Sequence, residues 1–293
     1  MTIEQKISRL IFGCGYLGHR VARRWRQAGD VVYAVTRSEE RADRLREEGL
    51  QPIVADVTRS GTLVDLPVCD TVLFAVGIDR TTGDAIRDVY VEGLRRVLDA
   101  IPDRNGHFIY ISSTGVYGQN DGSWVDEASP CVPQREGGQA CLDAERLLSE
   151  HSRGSNATIL RLAGIYGPDR VPRLQQLQEG EPIATPAEGF LNLIHVEDAV
   201  TAVDAAANRA GTVRVFNVSD GRPVVRRDYF EAVAARLGIE TPTMIEPPVG
   251  SGRQRRGLTS KRISNARMLQ ELGVQLQFPS YVEGLAAILT GSS

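Results

Sequence analysis

The sequence predicts an α/β fold: a doubly wound parallel Rossmann sheet with a smaller C-terminal substrate-binding part. Short apolar runs rich in β-branched residues alternate with segments of helical periodicity, which is typical of parallel strands joined by crossover helices. The first apolar run, residues 7–12, breaks into G-x-G-x-x-G and an arginine-rich helical segment. Ligands of such sheets bind at the carboxyl ends of the strands, so we expect the functional loops there.

The glycine turn predicts a dinucleotide site. Gly13 is expected to make the tight turn, Gly15 to let a pyrophosphate approach the backbone, and Gly18 to let the helix pack on the strand. A helix is expected to start near Tyr16 and Leu17, and its first N–H groups would bind the negatively charged phosphates. The alternative is a structural turn that binds nothing.

The end of the second strand, residues 31–35, predicts the choice of dinucleotide. Thr36, Arg37 and Ser38 follow it, with no Asp or Glu to bind the ribose hydroxyls of NAD. An arginine there accommodates the extra phosphate of NADP, so NADP is preferred and NAD remains the second option. Arg37 has a simpler alternative, which is to solvate the start of the next helix.

The remaining pattern predicts the organisation of the chain. Further strands are expected at residues 52–55, 71–77, 107–111, 157–162 and 213–218, and helices at 16–28, 39–48, 83–100 and 139–151. Residues 1–165 are expected to form the NAD(P)-binding domain, completed by about 195–218. Residues 166–293 would form the smaller substrate-binding region.

Composition narrows the class of protein. A net charge of −3 gives no electrostatic reason to expect nucleic acid or an anionic membrane as a partner. The four cysteines are scattered, which favours neither a metal site nor a disulfide framework. No apolar run approaches the roughly 18 residues of a membrane span, and the first ten residues lack a signal-like core, so a cytoplasmic location is expected.

With these segments laid out, the chain resembles the extended short-chain dehydrogenase/reductase superfamily, the branch of nucleotide-sugar epimerases and dehydratases. The resemblance covers nearly the whole chain. It rests on the order and spacing of the glycine turn and of residues 55–57, 74–77, 111–118, 160–168 and 193–200.

The resemblance implies roles for individual residues. Ser113 stands where the family has its catalytic Ser or Thr, whose hydroxyl bonds the reacting oxygen. Asp56 and Val57 would flank the adenine, and the residues that would line the cofactor beyond the pyrophosphate are Ala75, Val76 and Gly77. For Ser113 the alternative is a hydroxyl that satisfies backbone groups at the end of a strand.

The family's Tyr-x-x-x-Lys motif is absent. If Glu145 matches the family's later Glu, Gly137 stands at the tyrosine position and Cys141 at the lysine position. A glycine cannot transfer a proton, and a neutral thiol supplies no cation. The chain therefore resembles an atypical subgroup that keeps the serine and lacks the motif.

Other residues are candidates for the chemistry. Tyr117 is the phenol nearest in sequence and a possible proton donor, although family tyrosines at this position usually pack. Arg135 is a candidate fixed charge or anion-binding group, or else an exposed loop residue.

Two functions of different classes follow. The first is an NAD(P)-dependent oxidoreductase of the epimerase/dehydratase type with a non-standard site, acting on a small polar substrate for which a sugar derivative is one option. The alternative is a non-catalytic NAD(P)-binding sensor or scaffold. The resemblance also implies a homodimer.

Overall fold

The computed structural model describes residues 6–79, 81–209, 214–247 and 259–289. The chain divides into two compact units. The first unit comprises Met1–Ser112, Ala140–Leu160 and Ala202–Val215, and the second comprises Ser113–Gln139, Arg161–Thr201 and Phe216–Ser293. The start of the predicted strand 213–218, at Val213, lies outside the described residues.

A seven-stranded parallel sheet flanked by helices confirms the predicted fold class. Its strands run in the order β7-β6-β5-β4-β1-β2-β3. They are β1 (Ser8–Phe12), β2 (Val31–Thr36), β3 (Gln51–Val54), β4 (Thr71–Phe74), β5 (His107–Ser113), β6 (Ala157–Leu162) and β7 (Arg214–Val218).

The register brings three loops to one edge of the sheet. β1 pairs in parallel with β2 and with β4, so that Phe12 lies opposite Val35 on one side and Phe74 on the other. Since parallel strands end at the same edge, the glycine turn, the segment after β2 and the segment after β4 are neighbours.

The helices are α1 (Tyr16–Gln27), α2 (Glu39–Glu47), α3 (Gly93–Ala100), α4 (Glu136–Glu150), α5 (Leu174–Gln178), α6 (Val196–Ala207), α7 (Arg226–Leu237) and α8 (Tyr281–Leu289). α1 buries Leu17, Val21 and Trp25, as its periodicity predicts.

The predicted helix 83–100 differs at its start. Gly83 has φ +74°, in the left-handed region, so the helix cannot begin there. The helical segment begins instead at residues 86–87, which lead into a π-helical turn, Asp88–Glu92, and then into α3. The prediction was wrong at this end because the spacing of apolar residues carries no information on the sign of the backbone angle φ.

Each unit has its own apolar core. In the first, Leu10, Phe12, Phe74 and Phe108 are 1% exposed or less. In the second, the core gathers around Tyr166, Tyr229 and Leu285. No helix in the described part of the chain is both long and apolar enough to cross a membrane.

Four short strand pairs organise the second unit. Gly164–Tyr166 pairs in parallel with Leu193–His195, and Phe190–Leu191 pairs antiparallel with Val224–Val225. The other two pairs are parallel: Trp124–Val125 with Arg262–Ile263, and Ile183–Ala184 with Met244–Ile245. These pairs hold segments that are far apart in the sequence.

Asp198 fastens the C-terminal segment to α6. Its two carboxylate oxygens accept hydrogen bonds from the backbone N–H groups of Gln277, at 2.7 Å, and Phe278, at 3.0 Å. The ring of His195 lies 3.8 Å from the ring of Phe278, centroid to centroid. Asp198 and His195 are both buried, and both make structural contacts with the C-terminal segment.

We expect Asp198→Ala to destabilise the protein by about 1–3 kcal/mol, because two backbone N–H groups lose the buried carboxylate that accepts from them. Asp198→Asn keeps one acceptor oxygen and should cost less. Urea unfolding at neutral pH measures both, with Glu231→Ala as a control at an exposed acid. Equal stabilities for the Ala variant and the control would contradict the fastening role.

Candidate functional site

The glycine turn after β1 is set by close backbone packing. Gly13 has φ +89°, and a Cβ there would lie 2.5 Å from the carbonyl carbon of Ala75. A Cβ on Gly18 would lie 2.2 Å from the carbonyl oxygen of Gly13. Gly15 differs, since a Cβ there would meet no heavy atom within 4 Å. Two of the glycines therefore serve packing, and the middle one faces open space.

The start of α1 fits a phosphate group. Gly15 is the N-cap, it makes no side-chain cap, and the first turn of α1 contains no acid. Arg20 turns back to this end, where Nη1 donates to the carbonyl of Tyr16 at 2.8 Å. The first N–H groups of a helix without a cap carry partial positive charge, which attracts anions.

The segment after β2 contains the residues predicted to select the dinucleotide. Arg37 is half exposed and forms an ion pair with Asp79 at 2.6 Å. Hydrogen bonds from Thr81 and this arginine lower the pKa of Asp79 to about 2, so the carboxylate stays charged. Ser38 caps α2 by accepting from the N–H of Arg41. Thr36 is buried at the end of β2.

The other predicted cofactor residues also lie at this edge of the sheet. Asp56 follows β3, and its Oδ1 accepts from the N–H and hydroxyl of Thr58. Val57 packs near Gly93: its Cγ2 lies 3.1 Å from the position that a Cβ on Gly93 would occupy. Ala75 and Val76 are half-buried and Gly77 is exposed, directly after β4.

The second unit contains a separate cleft of about 380 Å³. This volume is within the roughly 300–1,000 Å³ of small-molecule sites. Ser113 and Arg135, both predicted from sequence, line it. So do residues that the sequence reasoning missed, chiefly Arg173, Asn192, Arg226 and Lys261.

Ser113 is held in one orientation. Its Oγ accepts a hydrogen bond from the N–H of Gly115 at 3.0 Å, which leaves the hydroxyl hydrogen able to donate elsewhere. A Cβ on Gly115 would lie 3.2 Å from this Oγ and 3.5 Å from Nη2 of Arg135. The hydroxyl and the guanidinium thus flank the same glycine.

Tyr117 is placed differently from a proton donor. Its side chain is 0% exposed, and among the described residues that line the cleft it does not appear. The hydroxyl donates to Asn217 at 2.9 Å and accepts from Arg161 at 2.8 Å. Burial raises the pKa of Tyr117 to about 12. This environment favours the packing role, which was the alternative in the sequence reasoning.

α4 contains the positions that the resemblance aligns with the family's Tyr-x-x-x-Lys motif. Cys141 and Glu145 are both buried. The carboxylate of Glu145 accepts a hydrogen bond from the hydroxyl of Ser112 at 2.5 Å. A Cβ on Gly137 would meet nothing within 4 Å, whereas one on Gly138 would lie 2.2 Å from the carbonyl oxygen of Gly115. Gly138 thus lets the start of α4 approach the Ser113–Gly115 turn.

These two adjacent glycines make a matched pair. Gly137→Ala should stabilise the protein by about 0.5–1 kcal/mol, because alanine is the better helix former and has room. Gly138→Ala should destabilise it by about 1–3 kcal/mol through the clash with Gly115. Thermal unfolding measures both. The same direction of shift for the two variants would contradict the close approach.

Comparison with known proteins gives consistent results. The sequence pattern of the NAD dependent epimerase/dehydratase family matches residues 10–219. Protein YeeZ of Escherichia coli (strain K12) is 26% identical over 279 residues, which cover 92% of this chain and 95% of YeeZ.

Two solved structures share the fold. One is from Methylobacillus flagellatus, where the assignment as an NAD-dependent epimerase/dehydratase is provisional. It is 33% identical, with a TM-score of 0.78 over 98% of this chain and 99% of that one. The other is MoeE5 in complex with UDP-glucose and NAD, at 21% identity and a TM-score of 0.77 over 97% of each chain.

The family pattern covers more than half of the chain, and the glycine turn and the seven-stranded parallel sheet agree with it. The chain belongs to the NAD dependent epimerase/dehydratase family.

Proposed function

We propose that this protein is an NAD(P)-dependent oxidoreductase of the epimerase/dehydratase type that acts on a small polar substrate. The geometry of the glycine turn carries the proposal. Gly13 and Gly18 are packed where no side chain fits, and Gly15 leaves open space before an uncapped helix. The UDP-glucose and NAD bound by MoeE5 support a nicotinamide cofactor and make a sugar derivative a candidate substrate.

The first unit would bind the dinucleotide. In this proposal the pyrophosphate lies against Gly15, Tyr16 and Leu17, where the N–H groups of α1 begin. Asp56 and Val57 would flank the adenine, and the residues after β4, Ala75, Val76 and Gly77, would line the rest of the cofactor. When bound, the nicotinamide supplies hydride chemistry.

We propose NADP as the preferred form, held at the extra phosphate by Arg37 with Thr36 and Ser38. Arg37 is half exposed at the same edge of the sheet as the glycine turn, which supports this role. Its partner Asp79 must give up the ion pair, a cost that is small for an exposed pair.

The second unit would bind the substrate, with two residues acting on the reacting oxygen. Ser113 would donate its hydroxyl hydrogen to that oxygen, because the N–H of Gly115 binds one lone pair of Oγ and leaves this hydrogen available. Arg135 adds a fixed positive charge that stabilises developing negative charge. For Tyr117 we propose a packing role, in which its two hydroxyl bonds fix Asn217 and Arg161.

A non-catalytic dinucleotide sensor or scaffold is the second candidate. It is favoured by the glycine and the cysteine at the positions of the family's tyrosine and lysine, Gly137 and Cys141. Stereospecific hydride transfer to any carbonyl compound would exclude it. Cofactor binding without transfer across a broad panel would support it.

The cofactor assignment predicts tight binding of NADP and NADPH to protein cleared of nucleotide. Arg37→Ala should weaken NADP binding by about tenfold and leave NAD binding nearly unchanged, because one charge-assisted phosphate contact is lost. Parallel calorimetric titrations with NADP, NADPH, NAD and NADH measure this. Stability of the variant serves as the control. If none of the four nucleotides binds, the proposed function is wrong.

The role of the glycine turn predicts a split between stability and affinity. Gly15→Ala should reduce dinucleotide affinity by about tenfold or more, since its Cβ occupies the space that a pyrophosphate would approach. Gly18→Ala should mainly lower stability, because its Cβ meets Gly13. Calorimetric titration and thermal unfolding of both variants separate the effects. Unchanged affinity in a folded Gly15→Ala protein would contradict the site.

A further inference from the structure

The cleft of the second unit is strongly cationic. Arg135, Arg173, Arg226 and Lys261 line it, and no Asp or Glu is among its described lining residues. The other residues that line the cleft are uncharged. Four cations around a cleft of about 380 Å³ produce a local positive potential that attracts anions.

Lys261 is the most unusual of the four. Its side chain is buried, with 7% of the residue exposed, and Nζ donates to the carbonyl oxygen of Tyr117 at 2.7 Å. Within the described ranges, no carboxylate forms an ion pair with it. Burial, followed by repulsion from Arg135 and Arg226, lowers the pKa of Lys261 to about 8. The fold therefore holds an ammonium group without a compensating charge.

Arg226 adds a second buried charge. It is 5% exposed, and its guanidinium donates to the backbone carbonyls of Glu188, at 2.6 Å, and Thr259, at 2.8 Å. Both acceptors are neutral, and no carboxylate among the described residues forms an ion pair with Arg226. Buried charges are normally paired, and an unpaired group costs folding free energy.

We propose that this cleft binds an oxyanionic group of the substrate, a carboxylate or a phosphate, with Lys261 and Arg226 as its buried positive charges and Arg135 as the charge beside Ser113. The inference rests on the proposed function, whose substrate class it narrows from small and polar to anionic. A neutral substrate would leave the buried cations uncompensated, whereas an oxyanion accepts hydrogen bonds and neutralises charge.

The protonation of Lys261 supplies a readout that a purely structural lysine would not give. The charged groups that face it are Arg135 and Arg226, with Arg173 also lining the cleft, and arginines stay charged throughout the relevant range. Anion binding should therefore be strongest below pH 8 and should fall as the pH rises through the pKa of Lys261. Replacement by arginine removes the titration and keeps the charge.

The test is calorimetric titration of the full chain with inorganic phosphate and, separately, malonate, at about pH 7 and about pH 9.5. Lys261→Met should weaken binding by about tenfold or more, and Lys261→Arg should retain binding with little change between the two pH values. The two probes distinguish a phosphate from a carboxylate ligand. Arg227→Gln is the matched control, because Arg227 adjoins Arg226 in sequence and is exposed in an ion pair with Glu188.

Wild-type affinity in Lys261→Met would overturn the proposal, since the anion would then be held elsewhere, for example at the glycine turn. So would the absence of binding by either probe to the wild-type protein. If Lys261→Met fails to fold, Lys261→Arg decides, because a pH dependence equal to that of the wild type contradicts the role of Lys261. Dinucleotide titration of the same samples separates the outcomes: nucleotide binding without anion binding removes this inference alone.

Discussion

The close contact between the turn after β1 and the residue after β4 is the constraint on which the first unit depends. The backbone of Gly13 passes so near Ala75 that no side chain can be accommodated. The carbonyl of Gly13 in turn limits Gly18, so both the turn and the first turn of α1 are fixed by backbone atoms. Because backbone packing in a parallel sheet is rigid, the open position at Gly15 is held in place without any functional side chain.

The second unit contains two buried cations, Lys261 and Arg226, which no carboxylate among the described residues neutralises. Lys261 donates to one backbone carbonyl and Arg226 donates to two, and these neutral acceptors leave both charges uncompensated. At the positions that the resemblance aligns with the family's tyrosine and lysine, α4 has Gly137 and Cys141, and the positive charges of the proposed site come from other segments of the chain.

Much of the fold was predictable because its signals are local. The strand 157–162 matches β6 at both ends, and α1 and α2 match within one residue. The start of the helix at Gly83 was not, since a left-handed glycine leaves no trace in apolar spacing. In the candidate site, Ser113 ends a recognisable strand and Arg135 directly precedes a recognisable helix, whereas no local pattern reveals the burial of Tyr117.

The sequence by itself determined the parallel sheet, the glycine turn and the family, because periodicity and motif spacing are properties of neighbouring residues. The tertiary structure alone decided the cationic cleft. Lys261 follows Tyr117 by 144 residues, and nothing near Lys261 in the sequence marks it as buried. Its environment arises from the pairing of Arg262–Ile263 with Trp124–Val125, a contact between distant strands that only folding creates.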